Sequence, residues 1–137
     1  MKRLVALLFL LCLPVFGQNL KPYAGTWEAS FNAKTFFTLT LVPSGSKLTG
    51  TVVHDNFNVD QDGNLTEIVP RDAHEKVTIV RPEGKGIDVY VHDDTDPAAT
   101  GHYHLELTSE NEGTLSLVVM GPGTPKIKPW VVTRKND

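Results

Sequence analysis

Cysteine is almost absent from this chain, since Cys12 is the only one in 137 residues. It lies at the end of an apolar run, Leu4 to Leu13, so the rest of the chain has no partner for a disulfide. A domain without disulfides must be held together by its hydrophobic core. The apolar run is also shorter than the roughly 20 residues that span a bilayer as a helix. Both a disulfide framework and a transmembrane helix in this run are therefore excluded.

The short apolar run has the flanks of a secretory signal peptide. Lys2 and Arg3 precede it, and Val15 and Gly17 are small enough to stand at −3 and −1 to a cut before Gln18. We therefore expect residues 1–17 to be a cleavable signal peptide and residues 18–137 to form one exported domain, secreted or periplasmic.

A lipid anchor at Cys12 is the alternative to simple secretion. The preceding Phe9, Leu10 and Leu11 are not the small residues that a lipid-attachment site needs, and Leu13 follows where a small or polar residue is usual. The sequence favours secretion without a lipid.

Positive charge is also in short supply. Two of the 13 Lys and Arg residues lie in the expected signal peptide, which leaves 11 against 16 Asp and Glu, a net charge of −5. A mildly acidic surface argues against nucleic acid or an anionic membrane as the partner. About 120 residues suffice for a single hydrophobic core.

No stretch after the apolar run has the 3.6-residue period of an amphipathic helix. Instead, apolar and polar residues alternate over short runs, as in Trp27–Phe31, Phe37–Leu41 and Leu48–Val52. Runs of this length and pattern are typical of β-strands. The sequence predicts an all-β fold.

Turn signals separate the strand-like runs. Asp62-Gly63 is the strongest of them and predicts a type I′ hairpin turn. Strands joined by short connections without crossover helices pair antiparallel, and closure removes exposed sheet edges. We therefore predict a single antiparallel up-and-down meander barrel of about eight strands.

The start and end of this domain resemble the calycin-type barrels, which include lipocalins, fatty-acid-binding proteins and avidins. Tyr23-Ala24-Gly25-Thr26-Trp27 is similar to the G-x-W opening of their first strand. The resemblance implies that Trp27 packs under the barrel beside Arg134, near the end of the last strand, as a structural pair. Gly25–Val52 is most similar to avidin, but Val52 stands where avidin has a tyrosine. The tryptophans that enclose biotin are missing, so biotin binding is not supported.

The resemblance also implies a ligand inside the barrel, and an eight-stranded barrel can hold one small molecule or be filled by side chains. We expect Ala29 and Gly50 to leave space and Tyr103 to supply a hydroxyl group. The predicted ligand-binding residues are Ala29, Phe37, Gly50, Val52, Tyr103 and Leu105. The full predicted inward set is Trp27, Ala29, Phe31, Phe37, Leu39, Leu41, Leu48, Gly50, Val52, Val77, Ile79, Ile87, Val89, Val91, Tyr103, Leu105, Leu107, Leu115, Leu117 and Val119.

This inward set is mainly aliphatic, so a small apolar ligand is the partner that it suits. The same side chains would equally form a packed core. The alternative is then an interaction or structural module without a ligand, which contacts a protein partner through the Asp93–Gly101 and Gly121–Lys128 loops.

Three histidines support a further alternative. If Val91 lies opposite Tyr103, the apolar faces of the two strands agree, and His92 then faces His102 with His104 on the same side. Imidazoles in this arrangement could bind zinc, copper or nickel. Solvent-exposed histidines without a metal explain the same pattern.

A catalytic constellation is not recognisable in the sequence. There is no G-x-S-x-G elbow, no H-E-x-x-H and no cysteine in the exported domain. His54-Asp55 could act as an acid–base dyad at a barrel mouth, but adjacent residues of a strand point to opposite faces. We therefore expect no enzymatic activity and no cofactor.

Overall fold

The structure is a computed structural model that describes residues 19–118, 123 and 125–136. The expected signal peptide, with Cys12, lies outside these residues. After a single 3₁₀ turn, Lys21–Tyr23, the described chain is built from strands. They are β1 (Gly25–Phe31), β2 (Lys34–Ser44), β3 (Lys47–Val59), β4 (Leu65–Glu83), β5 (Gly86–Asp93), β6 (Thr100–Leu107), β7 (Glu112–Leu117) and β8 (Trp130–Arg134).

The eight strands form one closed barrel in chain order. Each strand pairs antiparallel with the next, and β1 closes the barrel by pairing with β8 through Trp27 opposite Arg134. The predicted fold, an all-β up-and-down barrel of eight strands, is therefore confirmed. No helix in the part of the chain that the structure describes is long and apolar enough to cross a membrane.

Alternate residues of each strand fill the barrel. Trp27, Leu39, Val52 and Leu105 are completely buried, together with much of the predicted inward set. Phe31, Leu107 and Leu117 are partly buried against this core, and Val119 lies outside the described residues. The core also contains buried residues that the prediction missed: Tyr23, Phe36, Ala73, Trp130 and Val132.

Ile79 is wrongly placed in the predicted core, because its side chain is 53% exposed. The pairing of β4 with β5 shifts by one residue between Val77 and Ile79. A β-bulge of this kind reverses the facing of every residue beyond it. Val80 consequently packs against the core in place of Ile79.

One end of the barrel, which we call the Trp27 end, is covered by the chain that precedes β1. The Trp27 indole nitrogen donates a hydrogen bond to the Tyr23 carbonyl (2.9 Å). The Arg134 guanidinium lies over the indole, 4.3 Å from the ring centroid, and donates to the carbonyls of Pro22, Ala24 and Glu110. The structure thus places Trp27 and Arg134 in direct contact at this end.

The opposite end, which we call the Trp130 end, is bordered by the long hairpin of β3 and β4. The Asp55 carboxylate accepts hydrogen bonds from the Arg71 and Asp72 amides, where β4 bulges away from β3. At the tip of the hairpin, the Lys128 amide donates to the Gly63 carbonyl (3.0 Å). The hairpin is therefore tied to the segment before β8.

The tip of this hairpin is not the predicted type I′ turn. Val59 pairs with Leu65, and the Gly63 amide donates to the Asp60 carbonyl, so the connection runs from Asp60 to Asn64. A type I′ turn needs positive φ at both central residues. Gly63 has a φ of 86°, whereas Asp62 is not among the residues with positive φ.

Candidate functional site at the Trp130 end of the barrel

A cavity of about 220 Å³ lies at the Trp130 end. Its wall combines aromatic rings with a small group of titratable side chains. The lining residues are Phe36, Phe37, His54, Asp55, Phe57, Glu75, Thr100, Gly101, Tyr103, Leu117 and Trp130.

Strand periodicity places the titratable side chains at the cavity. His54 follows the buried Val52 by two positions on β3, and Glu75 precedes the buried Val77 by two on β4. Residues two apart on a strand share a face. The two side chains therefore continue the inward faces of their strands toward the cavity, where Tyr103 of β6 joins them.

Tyr103, His54 and Glu75 form a connected polar cluster. The Tyr103 hydroxyl donates a hydrogen bond to Glu75 Oε1 (2.7 Å). His54 Nε2 lies 3.4 Å from the same oxygen, and His54 Nδ1 lies 3.0 Å from the Asp55 carbonyl oxygen. Both nitrogens of His54 thus face acceptors, which is the arrangement that a doubly protonated imidazole satisfies.

The electrostatics agree with this protonation state. The hydrogen bond to Glu75 is the main cause that raises the pKa of His54 above 6.5, and it outweighs burial. Burial by itself would raise the pKa of Glu75, but the bonds from His54 and Tyr103 hold it below 4.5. Burial, with the adjacent Glu75 charge, also raises the pKa of Tyr103 far above its ordinary value. The cluster therefore favours a charged His54–Glu75 pair and a neutral tyrosine.

Aromatic side chains form the apolar part of the wall. Trp130 packs edge-on against Phe36 and Phe57, with ring centroids 5.0 and 5.1 Å apart, and Phe37 packs in the same way against Tyr103 at 5.2 Å. The Trp130 side chain is 8% exposed, and its indole nitrogen has no hydrogen-bond partner within the described residues.

Only some of the predicted ligand-binding residues line the cavity. Phe37 and Tyr103 line the cavity, whereas Ala29, Val52 and Leu105 do not line it and are at most 1% exposed.

Gly50 does not leave the space that we expected. A Cβ atom at this position would lie 1.7 Å from the Thr40 carbonyl oxygen, so the neighbouring strand fills the place of a side chain. Glycine is therefore required here by close backbone approach.

Sequence reasoning missed most of this site. Counting back by two from Val77 would have placed Glu75 on the inner face, and this signal was available. The sequence pattern paired His54 with Asp55, whereas the structure pairs it with Glu75, because β3 and β4 align Val52 with Glu75. Trp130 carries the same signal, since it precedes the buried Val132 by two positions on β8. Phe36 carries none, because it is adjacent to the inward Phe37 and is nevertheless buried.

The predicted pairing of β5 with β6, on which the metal hypothesis depends, is wrong. Val91 lies opposite Gly101 and His92 opposite Thr100, two residues away from the predicted pairing. His92 therefore does not face His102. Among the residues that the structure describes, no group of three or more His, Cys, Asp or Glu side chains is arranged to hold a metal ion.

A different cluster occupies that face of the barrel. Asp88, only 6% exposed, accepts from His104 Nδ1 at 2.8 Å, and His102 Nε2 lies 3.3 Å from the same oxygen. The second ring nitrogen of His104 lies 3.2 Å from Glu106, and the His102 ring stacks on Tyr90 at 4.2 Å. These histidines hold a buried carboxylate on the outer face of the sheet.

Comparison of the chain with protein-family models, curated proteins and solved structures gave no match.

Proposed function

We propose that the chain is an exported calycin-like barrel that binds one small, mainly apolar ligand in the cavity at its Trp130 end. The observation that carries this proposal is the composition of the cavity wall, in which Phe37, Phe57 and Trp130 stand beside the Tyr103–Glu75–His54 cluster. Apolar walls with a few placed polar groups are the usual design of a small-molecule site.

The volume of the cavity limits the size of the ligand. Drug-sized molecules occupy pockets of about 300 Å³ or more. An apolar cavity of about 150 Å³ holds one benzene molecule. At about 220 Å³, this cavity suits a single ring that bears one short substituent.

Binding, rather than catalysis, is the activity that we propose. Tyr103 and His54 both point their polar atoms at Glu75, so their hydrogen-bonding capacity is largely used within the protein. Among the described residues, the cavity wall has no serine or cysteine that could act as a nucleophile.

Native mass spectrometry of the exported protein, recovered from a cell extract, tests this proposal. We expect a polypeptide that begins at Gln18 and carries an additional mass of one to a few hundred daltons, which is lost on denaturation. A bare polypeptide after exposure to the extract would contradict ligand binding. It would instead favour the packed barrel that acts through its surface.

Two phenylalanine variants localise the bound molecule. Phe57 and Phe31 are both partly buried against the core, but only Phe57 lines the cavity. We expect Phe57→Ala to lose most of the added mass and Phe31→Ala to retain it. Equal retention by both variants would place the ligand elsewhere.

A further inference from the structure

The hydrogen bonds inside the cavity specify the chemistry of the ligand more closely than the volume of the cavity does. Tyr103 donates to Glu75 Oε1, and His54 Nε2 approaches the same atom. The second oxygen, Oε2, receives no hydrogen bond from the residues that the structure describes. It lies on the side of Gly101, where a Cβ atom would come within 3.5 Å of it.

Gly101 and Glu75 both line the cavity, so the free oxygen lies beside the space that a ligand would fill. The Tyr103 hydroxyl and the His54 nitrogens are already directed at protein acceptors. The polar wall therefore offers an unused acceptor to a ligand, and its hydroxyl and imidazole donors at Tyr103 and His54 are engaged. The Trp130 indole nitrogen has no partner among the described residues, but it is buried.

The charges around this oxygen favour a cation over an anion. Against the opposing effect of burial, the bonds from His54 and Tyr103 lower the pKa of Glu75, which favours its charged form, and Asp93, opposite Glu75 in the β4–β5 pairing, adds a second negative charge. Asp55 is a further acidic residue of the cavity wall. The positive groups near the cluster are His54, which is already paired with Glu75, and Arg71 and Lys34 at its periphery.

The aromatic wall adds to this preference. Phe37, Phe57 and Trp130 line the cavity, and a cation that lies over the face of an aromatic ring is attracted to it. A carboxylate combined with aromatic rings is complementary to an ammonium group carried by an apolar body.

We propose that the ligand is a one-ring amine, bound with its protonated amino group on Glu75 Oε2 and its ring among Phe37, Phe57 and Trp130. This inference rests on the proposed function, because it assigns the ligand class of the same cavity. The amino group supplies the donor that the free oxygen lacks.

Isothermal titration calorimetry of the exported protein with three probes of matched shape tests the inference. Benzylamine carries a cation, benzyl alcohol a neutral donor and benzoate an anion on the same ring. Both benzylamine and benzyl alcohol can donate a hydrogen bond to the Glu75 carboxylate, but only the ammonium group adds an attraction between opposite charges, so benzylamine should bind about tenfold more tightly than benzyl alcohol at neutral pH. Benzoate should bind more weakly than both.

Two variants, each of which removes one negative charge, distinguish a direct contact with the ligand from a general electrostatic effect. Glu75→Gln keeps the shape of the side chain but removes the charged acceptor. Asp93→Asn removes a neighbouring carboxylate that does not line the cavity. We expect Glu75→Gln to bring benzylamine and benzyl alcohol within about threefold of each other. Asp93→Asn removes a charge that makes no direct contact with the ligand, so it should reduce the preference for benzylamine much less and keep the same ranking.

The outcomes distinguish this inference from the proposed function. Tightest binding of benzoate, equal binding of the three probes, or equal effects of both variants would overturn the amine assignment while a ligand site remains. Absence of binding by every probe at millimolar concentration would overturn the site and the assignment together.

Discussion

Arg134 closes the Trp27 end of the barrel through several contacts of one side chain. Its guanidinium stacks on Trp27 and donates to three backbone carbonyls, two of which belong to the segment before β1. A lysine at this position could form neither the planar stack nor the set of directed hydrogen bonds. The side chain therefore links the last strand of the barrel to the first strand and to the segment before it.

We expect Arg134→Lys to lower the free energy of unfolding by about 2 kcal/mol, because it weakens the cation–π contact and leaves carbonyls without donors. Arg81→Lys is the matched control, since Arg81 also stacks on a ring, that of Tyr90, but is exposed. Its effect should stay within about 0.5 kcal/mol. Urea denaturation of the two variants measures the difference. Equal effects would show that Arg134 does not close the barrel.

The ion pair of Asp88 and His104 is a second interaction through which individual side chains affect the stability of the barrel. Burial alone would raise the pKa of Asp88, but His104 and His102 hold it below 3.8. Burial alone would lower the pKa of His104, but hydrogen bonds with Asp88 and Glu106 raise it above 6.5. The pair is therefore most stabilising while Asp88 is ionised and His104 is protonated.

The raised pKa of His104 predicts a loss of stability at alkaline pH. Its contribution is complete below pH 6.5 and is lost as the pH rises through the pKa of the folded state. We expect His104→Gln to reduce this decline above pH 6.5, as measured by urea denaturation across the pH range. His74→Gln should leave the decline unchanged, because His74 and its partner Asp72 are largely exposed, at 56% and 79%. A decline as steep in His104→Gln as in the parent protein would refute the assignment.

At the scale of strands, the long β3–β4 hairpin positions one side of the candidate site. It carries His54, Phe57 and Glu75, and its tip is fixed to the segment before β8 through Gly63. The Lys128 side chain adds a bond to Asn64 (2.9 Å). Access to the cavity should therefore depend on this attachment.

Gly63 and Gly45 allow the attachment to be tested. Both have positive φ, 86° and 62°, so a Cβ atom costs about 1 kcal/mol of backbone strain at either position. Only at Gly63 would the Cβ also meet another segment, 2.6 Å from the Lys126 carbonyl oxygen, whereas nothing lies within 4 Å of Gly45. Gly63→Ala should therefore speed amide hydrogen exchange over residues 56–69, and Gly45→Ala should not. The same exchange in both variants would mean that the tip is not held by this contact.

The strands also explain which parts of the fold could be predicted. Apolar alternation identified most inward residues, because it depends on the two-residue period alone. The pairing of β5 with β6 could not be obtained in this way, because a shift of two residues leaves every side chain on the same face. In the structure, the Asp93 carboxylate bonds to the Thr95 amide and hydroxyl, and the pairing continues to the bond between the Asp93 amide and the Ala99 carbonyl. The loop therefore sets the register.

The β4 bulges mark a second limit of sequence reasoning. One bulge turns Ile79 outward, and another brings the Arg71 and Asp72 amides to Asp55. Bulges insert a residue without a distinct apolar pattern. The set of residues that line the cavity could not be predicted for the same reason. Its wall combines residues from several strands, and their relative positions depend on both the register and the bulges.

At the scale of the whole molecule, the two ends of the barrel differ in polarity and in closure. Backbone carbonyls and Arg134 cover the Trp27 end. Aromatic rings and the His54–Glu75 pair surround a cavity at the Trp130 end. This asymmetry, with a core of fully buried side chains between the ends, is the basis for assigning ligand binding to one end of an otherwise packed barrel.

The two tryptophans provide the most direct test, because each marks one end. A proton–nitrogen correlation spectrum should contain one indole signal from Trp130, at the cavity, and one from Trp27, whose nitrogen is bonded to the Tyr23 carbonyl. On titration with benzylamine, we predict a saturable shift of the Trp130 signal while the Trp27 signal stays in place. A shift of the Trp27 signal alone, or no saturable shift of either signal at millimolar benzylamine, would contradict a ligand site at the Trp130 end.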